Sequence, residues 1–433
     1  MSARLILRGG ELIDPAQGIE GPRTVVLEGG KVAAILEGDP SPAPGDRVLD
    51  VRNLWVVPGL IDLHAHLREP GEEHKETLES GGKAGAAGGF TTLLAMGNTR
   101  PPADNASRVR WVRERARGVS AIDIQTVGTV SVGLEGEVLT DAEGLAAAGA
   151  VALSDDGRPI QNAALMRRAL EQARDIGLPI LAHEEELSLV GRGCMQEGPT
   201  ATRLGLSGIP GAAEEVMVRR DLALVELTGA RLHLQHVSTE GAVRALREAK
   251  ARGLQVSGEA APHHFTLTDS ALLAKRYDTD FKMNPPLRSE RDRAAVRAGL
   301  ADGTLDAIAT DHAPHGPIEK ETVFEAAANG VIGLETAFAL GLALVRDGDL
   351  PRRRLIELFT TGPARVIPAF RELGTLKVGA VADLTVIDPV ARWTVDVDHQ
   401  LSKSKNTPFK GRELTGRAVL TLVRGEVVFS RLG

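Results

Sequence analysis

Residues 61–67 read IDLHAHL, a run in which side chains at alternate positions share one side of an extended chain. Seven further runs are short and either β-rich or apolar: FTTLLAM, DIQTVGTV, AVALSDD, LPILAHEE, RLHLQHVS, LQVSGEA and LDAIATDH. Helical segments lie between them. Eight strand-then-helix units predict a parallel (β/α)8 barrel of the TIM type.

The helical segments carry start and stop signals. Asn162 can cap a helix with its side chain, and Gly177 followed by Pro179 can end that helix. Thr239 and Gly253 bracket a second predicted helix in the same way. These signals support the alternation of strands and helices on which the barrel prediction depends.

The two ends of the chain differ from the middle in their pattern of residues. Residues 1–57 hold short β-rich runs separated by Gly-Gly pairs and by the loop DPSPAPGD, and residues 372–433 return to β-rich runs with a hairpin around Arg424 and Gly425. We therefore predict a small β-sandwich domain formed by residues 1–57 and 372–433. The barrel is expected to span residues 58–371.

Charge and composition exclude several classes of protein. The net charge is −7 with both signs mixed along the 433 residues, which argues against a nucleic-acid partner. The longest apolar stretch, residues 334–345, is too short to cross a bilayer. Cys194 is the one cysteine, and no apolar secretory segment follows the N-terminus. We expect a cytoplasmic protein with a small-molecule substrate and no membrane role.

Titratable residues follow the predicted strands, at the end of a barrel where active sites form. Period-two alternation points His64 and His66 the same way. The other candidates stand at the ends of strands four, five, six and eight: the Asp155-Asp156 pair, His183, His236 and Asp311. Four imidazoles and two carboxylates are therefore expected to converge on one rim.

The types of side chain in this set indicate a metal site. Imidazole nitrogen and carboxylate oxygen without thiolate suit Zn²⁺ or a neighbouring divalent ion. Six ligands are more than one tetrahedral catalytic zinc uses, so the pattern favours two ions that share a bridging carboxylate and a bridging hydroxide. Taken singly, His183 or His236 is better explained as a hydrogen-bonded histidine of the core; the convergence of all six favours metal binding.

Longer strings extend along nearly the whole chain. They are PGLIDLHAHLREPG at 58–71, MGNTRP at 96–101, SDDG at 154–157, AHEEE at 182–186, HVST at 236–239, APHH at 261–264, KMNPPLRS at 282–289, TDHAPH at 310–315 and KNTPF at 405–409. With these strings in this order, the sequence resembles the amidohydrolase superfamily and, inside it, the bacterial type I dihydroorotases.

The resemblance implies a ligand set for two zinc ions. His64, His66 and Asp311 would bind one ion, His183 and His236 the other, and Asp156 would bridge them. Asp155 would be a supporting or turn residue. Many related enzymes bridge their ions with a carboxylated lysine instead, and no lysine lies in residues 154–157.

The resemblance also implies an activity, the reversible cyclisation of N-carbamoyl-L-aspartate to L-dihydroorotate in pyrimidine biosynthesis. Asp311 would be the catalytic residue that carries a proton between the nucleophile and the leaving nitrogen. Arg68 can meet the substrate carboxylate with a planar fork. The implied substrate-binding residues are His66, Arg68, Asn98, Asn284, His315, Asn329 and Gly330.

Two other functions compete with this interpretation. One is a different cyclic amidase, such as a dihydropyrimidinase, hydantoinase or allantoinase, against which Arg68, Asn98 and the missing lysine argue. The other is a non-catalytic scaffold, which loss of a metal ligand would mark. The family resemblance suggests a homodimer and an aspartate transcarbamoylase partner. Gly97 and Asn329 depart from the proline and phenylalanine common in the family.

Overall fold

The computed structural model of the protein describes residues 4–432. Its strands are β1 (Leu5–Asp14), β2 (Ile19–Glu28), β3 (Lys31–Leu36), β4 (Arg47–Asp50), β5 (Trp55–Pro58), β6 (Leu60–Ala65), β7 (Phe90–Ala95), β8 (Asp123–Gly128), β9 (Ala150–Leu153), β10 (Ile180–Ala182), β11 (Met195–Gln196), β12 (Gly208–Ile209), β13 (Leu232–Leu234), β14 (Val256–Ala260), β15 (Ala307–Ile308), β16 (Leu384–Thr394), β17 (Glu413–Val423) and β18 (Glu426–Ser430).

The α-helices alternate with the central strands. They are α1 (Leu78–Gly88), α2 (Ala106–Val119), α3 (Ala142–Ala148), α4 (Ala163–Ile176), α5 (Leu187–Val190), α6 (Pro199–Leu204), α7 (Ala212–Thr228), α8 (Glu240–Ala251), α9 (Pro262–Thr266), α10 (Ala271–Lys275), α11 (Glu290–Asp302), α12 (Pro317–Lys320), α13 (Ala337–Arg346), α14 (Arg352–Phe359) and α15 (Thr361–Val366).

The eight strands of the predicted barrel form one parallel sheet in the order β15-β14-β13-β10-β9-β8-β7-β6. Each contains part of one of the eight runs predicted from the sequence, so the barrel prediction is confirmed. The last strand, β15, is only two residues long. At the seam between first and last strands the N–H of His66 donates to the carbonyl oxygen of His312 at 2.8 Å, which closes the barrel just beyond the strand ends.

Local signals set the helix ends as the sequence predicted. Asn162 accepts hydrogen bonds from the backbone N–H groups of Ala164 and Leu165 at the start of α4, and Gly177 ends that helix in the left-handed conformation. Thr239 caps α8 in the same manner. These caps fix where each helix leaves the sheet, and the helices pack their apolar faces on the barrel to form its main core.

The terminal segments form a second sheet of eight strands in the order β18-β17-β16-β5-β1-β2-β3, with β4 paired to β1. The sheet forks at β1, whose residues 5–8 pair with β4 and whose residues 11–12 pair with β5. It has its own apolar core. The small β domain built from both chain ends is thus confirmed, and β5 is a strand that the sequence analysis did not identify.

The terminal sheet packs on the first helix of the barrel. The hydroxyl groups of Thr385 and Thr421 donate to the carbonyl oxygens of Gly89 and Ala86, at 2.6 and 2.7 Å. We keep the domain boundaries after residues 57 and 371 as a proposal. Within residues 4–432, no helix has both the length and the apolar composition that spanning a bilayer requires.

Candidate metal centre and active site

Six of the residues predicted from the sequence converge at the carboxyl end of the barrel strands. We call them the ligand cluster: His64, His66, Asp156, His183, His236 and Asp311. Each is buried, with between 0% and 6% of its surface exposed. Each lies in a barrel strand or within a few residues of its end, so the register of the parallel sheet aims them at one point.

Asp156 lies between two pairs of histidines. Its Oδ2 is 3.5 Å from Nε2 of His64 and 3.3 Å from Nε2 of His66. Its Oδ1 faces the other way, 3.4 Å from Nδ1 of His183 and 3.7 Å from Nε2 of His236. One carboxylate thus presents one oxygen to each pair, which is the arrangement a bridging ligand needs.

Asp311 joins one of these pairs. Its Oδ1 lies 3.6 Å from Nε2 of His64 and 3.3 Å from Nε2 of His66. The donor atoms of His64, His66 and Asp156 lie within 4.8 Å of one another, as do those of Asp156, His183 and His236. The cluster therefore contains two groups that could each hold a metal ion, with Asp156 in both.

The rings of His64 and His66 are held in orientation by contacts to their Nδ1 atoms. Nδ1 of His64 lies 2.9 Å from Oε1 of Glu259, and Nδ1 of His66 lies 3.0 Å from Oδ1 of Asn98. Nε2 of each ring is thereby left for the ligand cluster. Partners on the outer nitrogen fix the tautomer and direction of a metal-binding histidine, so the structure has the supports that such ligands require.

The backbone is strained at the same place. His236, Asp311 and Arg68 have positive φ angles of 33°, 45° and 60°, a conformation that costs free energy for residues with a Cβ atom. The cost is borne where the chain turns sharply from a strand end to aim a side chain into the barrel mouth. Strain held by the surrounding structure is typical of functional sites.

The electrostatics of the cluster favour a cation. Burial lowers the pKa of His183, but contacts with Asp156 and Glu185 outweigh it and raise that pKa to about 10. Burial raises the pKa of Asp156, but His64 and the other histidines lower it well below its ordinary value. Buried nitrogen and oxygen donors that stabilise positive charge match a divalent cation, so this donor set fits metal ions.

Asp155 differs from the neighbouring Asp156. Its carboxylate accepts hydrogen bonds from the backbone N–H groups of Val130 and Ser131, at 2.8 and 3.0 Å. Burial raises its pKa to about 6 against these hydrogen bonds. Asp155 therefore holds the segment after β8 in place, and the structure brings only its neighbour into contact with the histidines of the cluster.

A second set of predicted residues lies beside the cluster, and we call it the substrate rim: Arg68, His315, Asn329 and Gly330. Nε of Arg68 donates to the carbonyl oxygen of Pro314 at 3.1 Å, and its Nη2 lies 3.2 Å from Nε2 of His315. The same ring nitrogen lies 2.9 Å from the carbonyl oxygen of Asn329. The rim therefore joins the segment after β6 to the segment after β15.

Gly330 occupies a position that suits only glycine. Its φ is 141°, and a Cβ atom there would lie 2.7 Å from the carbonyl oxygen of Ala313. Its N–H donates to the carbonyl oxygen of Lys282 at 3.0 Å, and its own oxygen accepts from Nδ2 of Asn406 at 2.9 Å. Both backbone groups are engaged within the protein, and direct contact with a ligand stays a prediction.

Two predicted asparagines lie against the cluster. Nδ2 of Asn98 lies 3.2 Å from the backbone oxygen of Asp156 and 3.3 Å from its Oδ2. Nδ2 of Asn284 donates to Glu185 at 3.1 Å and lies 3.4 Å from Nε2 of His183. The buried Oδ1 of Asn284 has no hydrogen-bond partner among the described residues. Asn284 thus offers a free acceptor beside the histidines.

The two positions that depart from the family pattern are not cluster residues. Gly97 is buried, and its carbonyl oxygen accepts a hydrogen bond from the N–H of Ala103 at 2.9 Å. Asn329 is exposed and contacts His315 through its backbone oxygen. The departures therefore change the loops around the site and leave its donor set intact.

Sequence reasoning missed the carboxylates behind the cluster. Besides its contact with His64, Glu259 lies 3.0 Å from Nε2 of His233, and these contacts lower its pKa to about 2 against the effect of burial. Glu76 lies 3.2 Å from Nε2 of His312. No local pattern could reveal the contacts of Glu76 with His312 and of Glu259 with His64, because these pairs are 236 and 195 positions apart in the chain.

Asp62 is a missed residue for which a signal existed. The alternation in IDLHAHL places Asp62 on the same side of the strand as His64 and His66. Its Oδ1 accepts from the backbone N–H of Thr310 at 2.8 Å, and its Oδ2 from the hydroxyl group of the same residue at 2.6 Å. Asp62 thus ties the first strand of the barrel to the last.

A cavity lies away from the ligand cluster. It has a volume of about 640 Å³ and is lined by residues that include Gln17, Arg353, Arg365 and Lys377. None of the cluster residues lines it. The candidate site is therefore located by its converging donor atoms and not by the volume of a cavity.

Comparisons with known proteins agree with this geometry. A family model described as dihydro-orotase-like matches residues 54–242, and one described as amidohydrolase family matches residues 212–429. The chain is 58% identical over 430 residues to a dihydroorotase of Anaeromyxobacter dehalogenans (strain 2CP-C), with 99% of this chain and 98% of that one covered. It is 50% identical over 427 residues to a dihydroorotase of Pelobacter propionicus, with 99% and 100% covered.

Solved structures with the same fold include two hydantoinases. An L-hydantoinase from Arthrobacter aurescens superposes with a TM-score of 0.89 at 26% identity, covering 100% of this chain and 97% of that one. A D-hydantoinase from Thermus sp. superposes with a TM-score of 0.84 at 29% identity, covering 98% and 95%. The barrel and the terminal sheet of this chain are thus an arrangement found in enzymes of known structure.

Proposed function

Because the chain belongs to the dihydroorotase family of amidohydrolases, we propose that it is a dihydroorotase of pyrimidine biosynthesis. Such an enzyme interconverts N-carbamoyl-L-aspartate and L-dihydroorotate by closing or opening a cyclic amide. The observation that carries the proposal is the ligand cluster bridged by Asp156, with the guanidinium group of Arg68 at its edge. The ligand cluster could act on the cyclic amide of such a substrate, and the guanidinium group of Arg68 could bind its free carboxylate.

The proposed cofactors are two Zn²⁺ ions. His64, His66 and Asp311 would hold one ion, His183 and His236 the other, with Asp156 shared. The two oxygens of Asp156, which face different histidine pairs, support this division. Zinc bound to such ligands lowers the pKa of a water molecule and polarises a carbonyl oxygen. Nitrogen and oxygen donors without thiolate suit zinc, and the six donors exceed one tetrahedral shell.

Asp311 is the proposed catalytic residue. Burial raises its pKa, but the charge of His64 and the contact with His66 outweigh this and lower the pKa. Its carboxylate is therefore ionised near neutral pH and can accept a proton from the attacking water. In ring opening it would pass that proton to the leaving ring nitrogen, so that a general base becomes a general acid.

The substrate rim is proposed to hold the substrate carboxylate. Arg68 has a lowered pKa because it is buried, yet arginine stays charged at any physiological pH. Its contacts with Pro314 and His315 fix the plane of the guanidinium group. A fixed planar fork can bind a carboxylate with two hydrogen bonds. Asn284 would accept a hydrogen bond from a ring N–H, since its Oδ1 is free.

A second candidate is a cyclic amidase that acts on uncharged rings, favoured by the likeness of the fold to the L-hydantoinase. The identity of 58% to a dihydroorotase, against 26% to that hydantoinase, supports the first proposal. A non-catalytic scaffold is not favoured, because all six cluster residues are present and converge. The homodimer and the transcarbamoylase partner stay predictions from the sequence.

The test is the ring-opening rate of L-dihydroorotate by the zinc-loaded protein, followed by the loss of the substrate's ultraviolet absorbance. Dihydrouracil and hydantoin serve as parallel substrates, and chelator-treated protein restored with zinc serves as the metal control. We expect metal-dependent turnover of dihydroorotate only. Turnover confined to the uncharged rings would support the second candidate, and no turnover of any ring would reject both.

A further inference from the structure

The segment of residues 400–409, which we call the C-terminal strap, crosses from the terminal sheet to the mouth of the barrel. Its first half is tied to the segment after β6. The hydroxyl group of Ser402 donates to Glu76 at 2.5 Å, and the hydroxyl group of Ser404 donates to the carbonyl oxygen of Lys75 at 2.7 Å. The strap includes KNTPF, a string that the proposed function leaves without a role.

The second half of the strap reaches the segment that carries most of the substrate rim through Asn406, whose backbone oxygen accepts a hydrogen bond from the N–H of Ile332 at 2.9 Å. The side chain of Asn406 makes three further contacts there. Nδ2 of Asn406 donates to the carbonyl oxygens of Ala313 and Gly330, at 3.1 and 2.9 Å. Its Oδ1 accepts a hydrogen bond from the N–H of His315 at 3.0 Å. Asn406 is 4% exposed, so water does not replace these contacts.

We infer that Asn406 is a positioning residue for substrate binding, acting through His315 and Gly330. The inference rests on the proposed function, because it assumes that the substrate rim meets the substrate. Among residues 4–432, Asn406 forms no hydrogen bond with a residue of the ligand cluster or with Arg68; its side chain bonds His315, Ala313 and Gly330. It sets the distance between the two halves of the segment after β15, in which His315 precedes Gly330 by fifteen positions.

The chemistry of the amide explains why this position holds asparagine. Two carbonyl oxygens need two donors and one backbone N–H needs an acceptor, and a side-chain amide supplies all three. Aspartate at this position would keep the acceptor for His315 but would place a carboxylate oxygen against the oxygens of Ala313 and Gly330. Alanine would leave the buried oxygen of Ala313 and the N–H of His315 without these partners, and the oxygen of Gly330 with Lys320 alone, which costs stability.

The expected consequence is a change in binding rather than in chemistry. His315 contacts both Arg68 and Asn329, so a shift of its backbone changes the whole rim. Each described residue of the ligand cluster lies in a barrel strand or within three positions of its end, and none of them hydrogen-bonds to the strap. Loss of Asn406 should therefore raise KM for L-dihydroorotate by about 10-fold while kcat changes by less than about threefold, the pattern expected when uniform binding is lost.

The test uses the full-length, zinc-loaded protein with the variants Asn406→Ala and Asn406→Asp, and Asn406→Ser as a milder replacement if either fails to fold. Thr407→Val is the matched control: Thr407 is equally buried in the strap, and its hydroxyl accepts from the N–H of Phe409 without touching the rim. KM, kcat, zinc content and the thermal midpoint are measured for each. We expect raised KM only at Asn406, with zinc content unchanged.

A double-mutant cycle separates positioning from general loosening. If Asn406 acts through His315, the change in KM caused by Asn406→Ala should shrink in a His315→Ala background, because neighbours that act together are not additive. The inference would be overturned if the two substitutions were fully additive, or if the Asn406 variants kept the KM of an active wild type. Loss of zinc and of kcat in the Asn406 variants would overturn it as well. An inactive wild type would instead reject the proposed function, so the two failures are distinguishable.

Discussion

The ligand cluster and the substrate rim lie at the same end of the barrel but are held in place differently. The cluster residues farthest from their strands, Asp156 and Asp311, come three positions after Leu153 and Ile308, the last residues of β9 and β15. The rim residues His315 and Gly330 come seven and twenty-two positions after Ile308. Hydrogen bonding between strands fixes the cluster, whereas the rim depends on contacts with distant parts of the chain.

This difference predicts how each region responds to substitution. A residue at a strand end inherits its direction from the sheet, so its role depends on its own side chain. A residue far out on a loop inherits its place from whatever holds the loop. We therefore expect substitutions in the cluster to abolish turnover, and substitutions in the rim to weaken substrate binding while leaving the metal in place.

The largest effect is expected for Asp156→Ala. The substitution removes the one carboxylate that faces both histidine pairs, so we expect turnover to fall by about 10³-fold or more and zinc to be lost from the protein, because both ions are proposed to depend on it. Zinc per chain and the rate with L-dihydroorotate are the measurements. Asp155→Asn is the control, since Asp155 contacts Val130 and Ser131 instead.

For that control we expect a lower thermal midpoint with zinc content preserved. If Asp155→Asn lost its zinc while Asp156→Ala kept it, the assignment of the two carboxylates would be reversed. Asp156 would then no longer be the carboxylate on which metal binding in the cluster depends.

Asp311→Asn should separate catalysis from metal binding within the cluster. Asparagine keeps the shape and an oxygen but cannot accept the proton, so we expect turnover to fall by about 10²- to 10⁴-fold, the usual contribution of a general acid–base group. Zinc content should be largely kept, because His64, His66 and Asp156 remain. Near wild-type turnover in this variant would exclude Asp311 as the proton carrier.

Arg68→Lys tests the rim. Lysine keeps the charge but loses the planar fork, so we expect KM for L-dihydroorotate to rise by about 10- to 100-fold, as for one lost charge-assisted hydrogen bond, with kcat less affected. Steady-state kinetics with zinc-loaded enzyme measure both constants. Arg100→Lys is the control, because the side chain of Arg100 is 78% exposed. An unchanged KM in Arg68→Lys would show that Arg68 does not bind the substrate carboxylate.

The smallest effect on turnover is expected for Lys320→Met, which concerns the stability of the loop. Nζ of Lys320 donates to the carbonyl oxygens of Lys282, Ala328 and Gly330. Burial lowers its pKa to about 8, whereas an unfolded lysine titrates near 10.5. Between these values the unfolded chain binds more protons, so this group makes the protein more stable as pH rises through that window.

The measurement is the free energy of unfolding in urea below and above that pH window. Wild type should gain stability relative to Lys320→Met as pH rises, while Lys377→Met, which changes an exposed lysine, should follow wild type. Parallel pH profiles for wild type and Lys320→Met would show that folding does not lower the pKa of Lys320.

The sequence predicted what local patterns encode. Alternation in IDLHAHL was enough to place His64 and His66 on one side, and the eight β-rich runs were enough to predict the barrel, since both depend on residues close together in the chain. Even the short β15 was found, because Asp311 follows it within the run LDAIATDH.

Contacts between distant segments could not be predicted in this way. Glu259 orients His64 across 195 positions, and Asn406 holds His315 across 91. The strand β5 was missed because its four residues become a strand by pairing with β1 and β16. Such pairings are set by the three-dimensional fold, and a single sequence has no local signal for them.

The C-terminal strap lies late in the sequence, so it is synthesised after the residues of the ligand cluster. A ribosome completes all six cluster residues once it has passed Asp311, but Asn406 and the partner strand β16 are synthesised only later. Until then β5 has an unpaired edge of buried residues, which is a hazard for aggregation in a growing chain. A nascent chain of this protein therefore carries every residue of the ligand cluster before Asn406 can hold His315 and Gly330 in place.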